Sequence, residues 1–236
     1  VKTALITGAS SGIGLASAHA LSRSGFRVGL LARRLEALEA AVAAIREAGG
    51  EAWAGAADVR DAIGVGAFVR QAVERYGRID LLVHSAGVFQ LKPFEQTSPA
   101  LWEETLGVNL TGAFVVSQAV WPHIAGGQII HISSVAGVQP FPGCAAYSAS
   151  KYGLVGLSEV LALEGKARNI RVHVVCPGNT ETPLWQGQAP AEVQARMMRP
   201  EEVAEVVRWL AVSPPALTFD RVVVRPARDP WEAGNA

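Results

Sequence analysis

Tyr147 and Lys151 are four residues apart in the run Ala145-Ala146-Tyr147-Ser148-Ala149-Ser150-Lys151, and Ser134 lies thirteen positions before the tyrosine. Helical residues at a spacing of four share a face. An ammonium beside a phenol favours the phenolate and is expected to lower its pKa from about 10. That makes tyrosine a usable general acid and base. By itself the pair also suits a solvated helix face, and the rest of the chain decides between the two.

A glycine loop opens the chain. Thr3 to Thr7 is short, apolar and β-rich, so it reads as a buried parallel strand. A helix is expected from Ile13 to Leu21, ended by Gly25. Between them lie Gly8, Ser10, Ser11, Gly12, Ile13 and Gly14. A glycine turn between strand and helix lets backbone approach a pyrophosphate, and the helix N-terminus offers free N–H groups to its charge. The spacing is Gly-x3-Gly-x-Gly, not the more usual Gly-x-Gly-x-x-Gly.

The elements that must position these residues alternate strand and helix throughout. Strands are expected near residues 2–7, 26–32, 51–56, 79–84, 127–132, 170–176 and 220–225. Gly25, Gly49-Gly50, Gly77 and Gly126-Gly127 fall where a helix should stop before the next strand. Ser98-Pro99 reads as the start of a long helix to about Val120, and Arg199-Pro200-Glu201-Glu202 opens another. This pattern predicts an α/β fold: a doubly wound, Rossmann-like parallel sheet of about seven strands with helices on both faces. One domain over residues 1–236 is expected, with a polar tail from Ala227 to Ala236 that packs on a neighbouring subunit or is disordered. In such sheets the ligand lies beyond the strand C-termini. The glycine loop, Asp58, Gly87, Ser134 and Pro177 all sit at those ends and should converge.

Hydrophobic residues make up 50% and charged residues 18% of the chain, which suits a sheet buried between helices. The formal net charge of +0 gives no pointer to nucleic acid or an anionic membrane. Cys144 and Cys176 form no metal or disulfide pattern, so a reduced, cytoplasmic setting is expected, with no metal. The first residues are expected to form a strand and not a signal sequence, and no apolar run is long enough to span a bilayer.

Taken together, these residues resemble the classical short-chain dehydrogenase/reductase family over nearly the whole chain. The family's Thr-Gly-x3-Gly-x-Gly loop matches Thr7 to Gly14, and its adenine-side Asp matches Asp58, followed by Val59. Its Asn-Asn-Ala-Gly strand end appears as His84-Ser85-Ala86-Gly87. Its catalytic Asn, Ser and Tyr-x3-Lys match Asn109, Ser134, and Tyr147 with Lys151. Its Pro-Gly matches Pro177-Gly178, with Thr180 and Thr182 in the segment that follows. The resemblance implies hydride transfer between a nicotinamide cofactor and a carbonyl or secondary alcohol. Tyr147 would pass the proton, Lys151 would lower its pKa and hold the nicotinamide ribose, and Ser134 would bind the substrate oxygen. Asn109, poorly suited to a helix interior, would make a kink that lets a water connect Lys151 to solvent. Relatives are usually dimers or tetramers built on the two long helices. Ala149, Leu154, Leu157 and Leu161 suit such an interface or an internal core.

NAD-preferring relatives usually carry Asp where this chain has Ala32, followed by Arg33 and Arg34. Arg33 could meet a 2′-phosphate, so NADP(H) is expected over NAD(H), although Ser10 and Ser11 leave the glycine loop without a second basic contact. Adjacent strand residues face opposite ways, so only one of Ser133 and Ser134 should reach the crevice, and the spacing to Tyr147 selects Ser134. His84 is expected to join neighbouring strands, and His131 and His173 to be packed. Phe141, Leu184 and Trp185 are candidates for an apolar substrate wall, under a short lid that leaves the site open. Cys144 lies close enough to Tyr147 for an alkylating reagent to inactivate the protein. The leading expectation is a carbonyl reductase or alcohol dehydrogenase. The alternative is a catalytically silent, cofactor-sensing regulator on the same fold.

Overall fold

The computed structural model describes residues 1–232. Seven strands form one all-parallel sheet in the order β3-β2-β1-β4-β5-β6-β7. They are β1 (Thr3–Thr7), β2 (Arg27–Ala32), β3 (Ala52–Ala56), β4 (Leu81–His84), β5 (Gln128–Ile132), β6 (Arg171–Pro177) and β7 (Arg221–Val224). Each lies within two residues of its expected span. The helices are α1 (Gly12–Arg23), α2 (Leu35–Glu47), α3 (Ala62–Tyr76), α4 (Pro99–Leu106), α5 (Gly112–Val120), α6 (Ala145–Gly165), α7 (Ala191–Gln194) and α8 (Pro200–Val212).

Strand alternation sorts the core into two layers. Ala4 and Ile6 of β1 pack with Leu21 of α1, Leu38 and Ile45 of α2, and Val203 and Val207 of α8. Leu5, between them in sequence, points the other way, toward Phe68 of α3 and Val116 of α5. The chain reverses its direction of winding between β1 and β4, whose ends Thr7 and His84 lie side by side. A doubly wound sheet opens its ligand crevice at that place.

Local signals act as expected. Gly25 and Gly77 adopt φ of 82° and 79°, the left-handed conformation that ends a helix. The Ser98 hydroxyl accepts a hydrogen bond from Leu101 N at 3.2 Å at the start of α4. The long helix expected from Ser98 to Val120 is present but interrupted. Gly107–Thr111 forms a π-helical turn between α4 and α5, with Asn109 inside it. The expected kink is therefore an inserted turn of backbone.

Three histidines are structural. His84 Nδ1 shares a hydrogen bond of 3.0 Å with Thr7 Oγ1, tying β4 to β1. His131 bridges Ser117 of α5 at 3.0 Å and Ser158 of α6 at 2.7 Å. His173 shares a hydrogen bond of 3.2 Å with Gln128 on β5. Burial holds all three pKa values down, that of His131 to about 3. In the unfolded chain each would take up a proton below about pH 6.5. A group neutral in the fold and protonated in the coil makes stability fall as pH falls through that range. His131 alone should remove about 2 kcal/mol between pH 6.5 and 5. Urea titrations at pH 7 and 5 should show the acid-side loss, and equal midpoints would contradict it.

The tail expectation is partly replaced. Trp231 packs toward Trp185 of its own chain, with ring centroids 6.2 Å apart, and Arg196 donates to the Glu232 carbonyl at 3.1 Å. Residues 233–236 of that expected tail lie outside the described residues. Leu154 is buried and Leu161 packs against the core. The apolar residues that α6 does expose are Tyr152, Val160 and Leu163. Among the described residues no helix is long and apolar enough to cross a membrane.

Candidate active site

One cleft of about 720 Å³ runs across the C-terminal ends of the strands. Gly8, Ser10, Ser11, Gly12, Ile13, Arg33, Arg34, Asp58 and Val59 line one end, Ser85, Ala86 and Gly87 the middle, and Ser134, Tyr147, Lys151, Pro177, Gly178, Thr180 and Thr182 the rest. Of the expected catalytic and cofactor-binding residues only Gly14 and Asn109 stand behind the wall instead of on it, for reasons their contacts explain.

At Gly14 a Cβ would come within 2.5 Å of the Gly8 carbonyl oxygen, so α1 can meet the strand end this closely only through glycine. Gly8 itself has φ of 64°, and a Cβ there would lie 2.8 Å from the Ala86 backbone. The two ends of β1 and β4 thus close into a bare backbone cradle at the N-terminus of α1, the arrangement a pyrophosphate needs. Thr7 fixes the other rim. Its hydroxyl accepts from Ser85 N and Ala86 N, both at 3.2 Å.

Asn109 is fully buried and its carboxamide fully used. Oδ1 accepts from Val88 N at 2.7 Å, while Nδ2 donates to Val88 O and Ser150 Oγ, both at 3.0 Å. It clamps the segment after β4 onto α6, one residue before Lys151. Sequence reasoning did not find Ser150 or Val88 as its partners, because nothing in their types marks them.

Lys151 Nζ donates to the Ile132 carbonyl at 2.9 Å and lies 5.6 Å from the centre of the Tyr147 ring. The helix spacing therefore brings the two together as expected, while the phenol's pKa moves up where a lowered one was expected. Burial pushes the Tyr147 phenol up to about 12, against a smaller downward pull from Ser134. Burial also lowers Lys151 to about 8. For each group burial disfavours the charged form. The phenol thus holds its proton at neutral pH.

Both serines line the cleft, contrary to the expectation that one alone would reach it, but their hydroxyls are used differently. Ser133 Oγ donates to the Lys151 carbonyl at 3.1 Å. Ser134 Oγ accepts from Ala136 N at 3.1 Å and is the hydroxyl beside the phenol. An oxygen placed between Ser134 and Tyr147 could receive two hydrogen bonds and a proton. Cys144, by contrast, is buried and its thiol pKa is raised by burial, so the expected sensitivity to alkylation loses its basis.

At the far end Arg33 and Arg34 flank the glycine loop, and Arg34 Nη2 donates to Ser10 Oγ at 3.3 Å. The loop thus has a basic neighbour that its own sequence lacks. Asp58 is held below the usual carboxylate range by hydrogen bonds from Arg60, with Arg33 adding to the effect. The Arg60–Asp58 salt bridge spans 2.8 Å.

The substrate side needs two corrections. Phe141 is not among the lining residues, whereas Leu184 and Trp185 are. Phe89, which sequence reasoning missed, packs edge-on against Tyr147 with ring centroids 4.7 Å apart. The short segment after Gly178 is also tied down. Gln188 Nε2 donates to Phe89 O at 2.9 Å and to Leu184 O at 2.7 Å.

Comparison with known proteins agrees with this geometry. A family model described as short chain dehydrogenase matches residues 2–193. A 3-oxoacyl-acyl-carrier-protein reductase from Synechocystis is 38% identical over 91% of this chain and 91% of its own. A D-threitol dehydrogenase from Mycolicibacterium smegmatis is 37% identical, over 89% of this chain and 85% of its own. The crystal structure of an alcohol dehydrogenase from Thermococcus sibiricus, complexed with 5-hydroxy-NADP, superposes with a TM-score of 0.90 at 28% identity, covering 100% of this chain and 99% of that one. The chain belongs to the short-chain dehydrogenase family, oxidoreductases that act on small molecules with a nicotinamide cofactor.

Proposed function

We propose that the protein is an NADP-dependent carbonyl reductase or alcohol dehydrogenase in which Tyr147 is the general acid and base. The observation that carries the reading is the meeting of Ser134, Tyr147 and Lys151 in the cleft that begins at the glycine cradle. The bare backbone at Gly8 and Gly14 fits a dinucleotide pyrophosphate, and Asp58, Ser85, Ala86 and Gly87 line the path from there to Lys151.

The nicotinamide cofactor supplies or accepts the hydride. The protein's residues handle the oxygen and its proton. Ser134 donates a hydrogen bond to the substrate carbonyl oxygen and stabilises charge developing there. Tyr147 gives that oxygen its proton during reduction and takes one from an alcohol during oxidation. Lys151, held by the Ile132 carbonyl, presents its amine 5.6 Å from the centre of the Tyr147 ring and would hold the nicotinamide ribose. Asn109 acts through others, holding the Val88 segment against α6.

Two observations support NADP over NAD. The last residue of β2, where a repelling carboxylate would stand, is Ala32, and two guanidinium groups line the cleft beside it. A bound 5-hydroxy-NADP in the Thermococcus enzyme adds to this. A homodimer or homotetramer is the proposed assembly, with Phe114 of α5 and the exposed Tyr152, Val160 and Leu163 of α6 as its apolar face.

Purified protein incubated with NADPH and a panel of ketones and aldehydes tests the reading. Loss of NADPH absorbance with at least one carbonyl, slower with NADH, is expected. No oxidation with any member would remove it.

A further inference from the structure

The half of the cleft beyond Tyr147 has a composition of its own. Phe89 packs edge-on against the Tyr147 ring, and Trp185 packs edge-on against Phe89 at 5.1 Å between centroids. Trp231 backs Trp185 at 6.2 Å. Four segments distant in sequence therefore converge on one run of aromatic rings that starts at the proposed proton donor. Gln188 fixes that run in place, because its one side chain bonds both Phe89 O and Leu184 O.

The charges of the cleft lie elsewhere. The charged side chains that line it are Arg33, Arg34, Asp58 and Lys151. The first three belong to the β2 and β3 ends, beside the glycine loop. Lys151 has its ammonium on the Ile132 carbonyl. A carboxylate or phosphate on the substrate would lose water in the aromatic half and gain no counter-charge. A polyhydroxylated chain would meet polar side chains at Asn179 and Thr182 but none among Phe89, Leu184 and Trp185, so hydroxyls laid against those residues stay unpaired. An aromatic ring instead extends the edge-to-face series, whose spacings lie in the favourable range of about 4.5–7 Å.

We propose that the substrates are uncharged ketones, or the matching secondary alcohols, that carry an aromatic ring next to the reacting carbon, and that Trp185, positioned by Gln188, is the residue that selects them. This rests on the proposed reductase activity.

The test compares kcat/KM, with NADPH saturating, for four methyl ketones: phenyl, cyclohexyl, a four-carbon polyhydroxylated one and anionic acetoacetate. Wild-type protein should favour the phenyl ketone by about threefold or more over its cyclohexyl analogue, the scale of an aromatic pairing. It should favour it by more than about tenfold over the polar and anionic ones, the scale of a pocket's apolar discrimination. Trp185→Ala should lower the ratio of phenyl to polyhydroxylated ketone at least about tenfold, mainly through KM, with NADPH affinity retained. Gln188→Ala should lower it in the same direction. If Trp185→Ala loses NADPH binding, Trp185→Leu takes its place. Preference for the polar or anionic ketone, parity between phenyl and cyclohexyl, or an unchanged ratio in the variants overturns the substrate class and leaves the reductase activity standing. No turnover of any carbonyl overturns both.

Discussion

Replacing Tyr147 by Phe lowers carbonyl turnover by at least about 100-fold and leaves NADPH binding intact, the expected signature of a positioned acid lost from a preformed site. The ring of the variant still fills the space against Phe89, so packing is preserved and only the proton is removed. Stopped-flow turnover and a cofactor fluorescence titration on the same preparation check both halves. Turnover within a few-fold of wild type would take Tyr147 out of the mechanism.

The pH dependence of the wild type reports on Tyr147 and Lys151 together. Reduction needs the phenol protonated. With its pKa raised to about 12, ionisation of Tyr147 does not limit reduction near neutrality. Lys151, depressed to about 8, loses its charge as pH rises through that value. The kcat/KM for reduction should therefore be level below pH 8 and decline above it. That profile belongs to the free enzyme.

Arg33→Asp is expected to reverse the choice of cofactor. The guanidinium lines the cleft beside Ala32, where a 2′-phosphate would accept charge-assisted hydrogen bonds worth about 1.5–3 kcal/mol. Removing them costs NADPH about 10- to 100-fold in affinity, since each 1.4 kcal/mol is tenfold. The new carboxylate repels the phosphate and can bond a 2′-hydroxyl. The ratio of the NADH to the NADPH dissociation constant should shift by about 100-fold or more toward NADH. Isothermal titration of both nucleotides into both proteins measures it. An unmoved ratio would make Arg33 an ordinary solvated residue. Arg34, bonded to Ser10, would then be the group to replace.

Much of the molecule was legible in the chain because it is set locally. Apolar β-rich runs bounded by glycines determine seven strands, and glycine at the end of α1 and α3 fixes where those helices stop. The four-residue step from Tyr147 to Lys151 places both on one side of α6 whatever surrounds them. The order of motifs along the chain then suffices for the family and for most of the cleft. Tertiary structure decided what depends on segments far apart in sequence. The sign of the Tyr147 shift follows from burial under neighbours that its own helix does not contain. The Asn109 clamp needs Val88 and Ser150, and the aromatic run needs Phe89, Trp185 and Trp231. Spacing along a helix determines which residues can meet, but only the folded surroundings set how deeply each is buried, and burial disfavours the charged form of both.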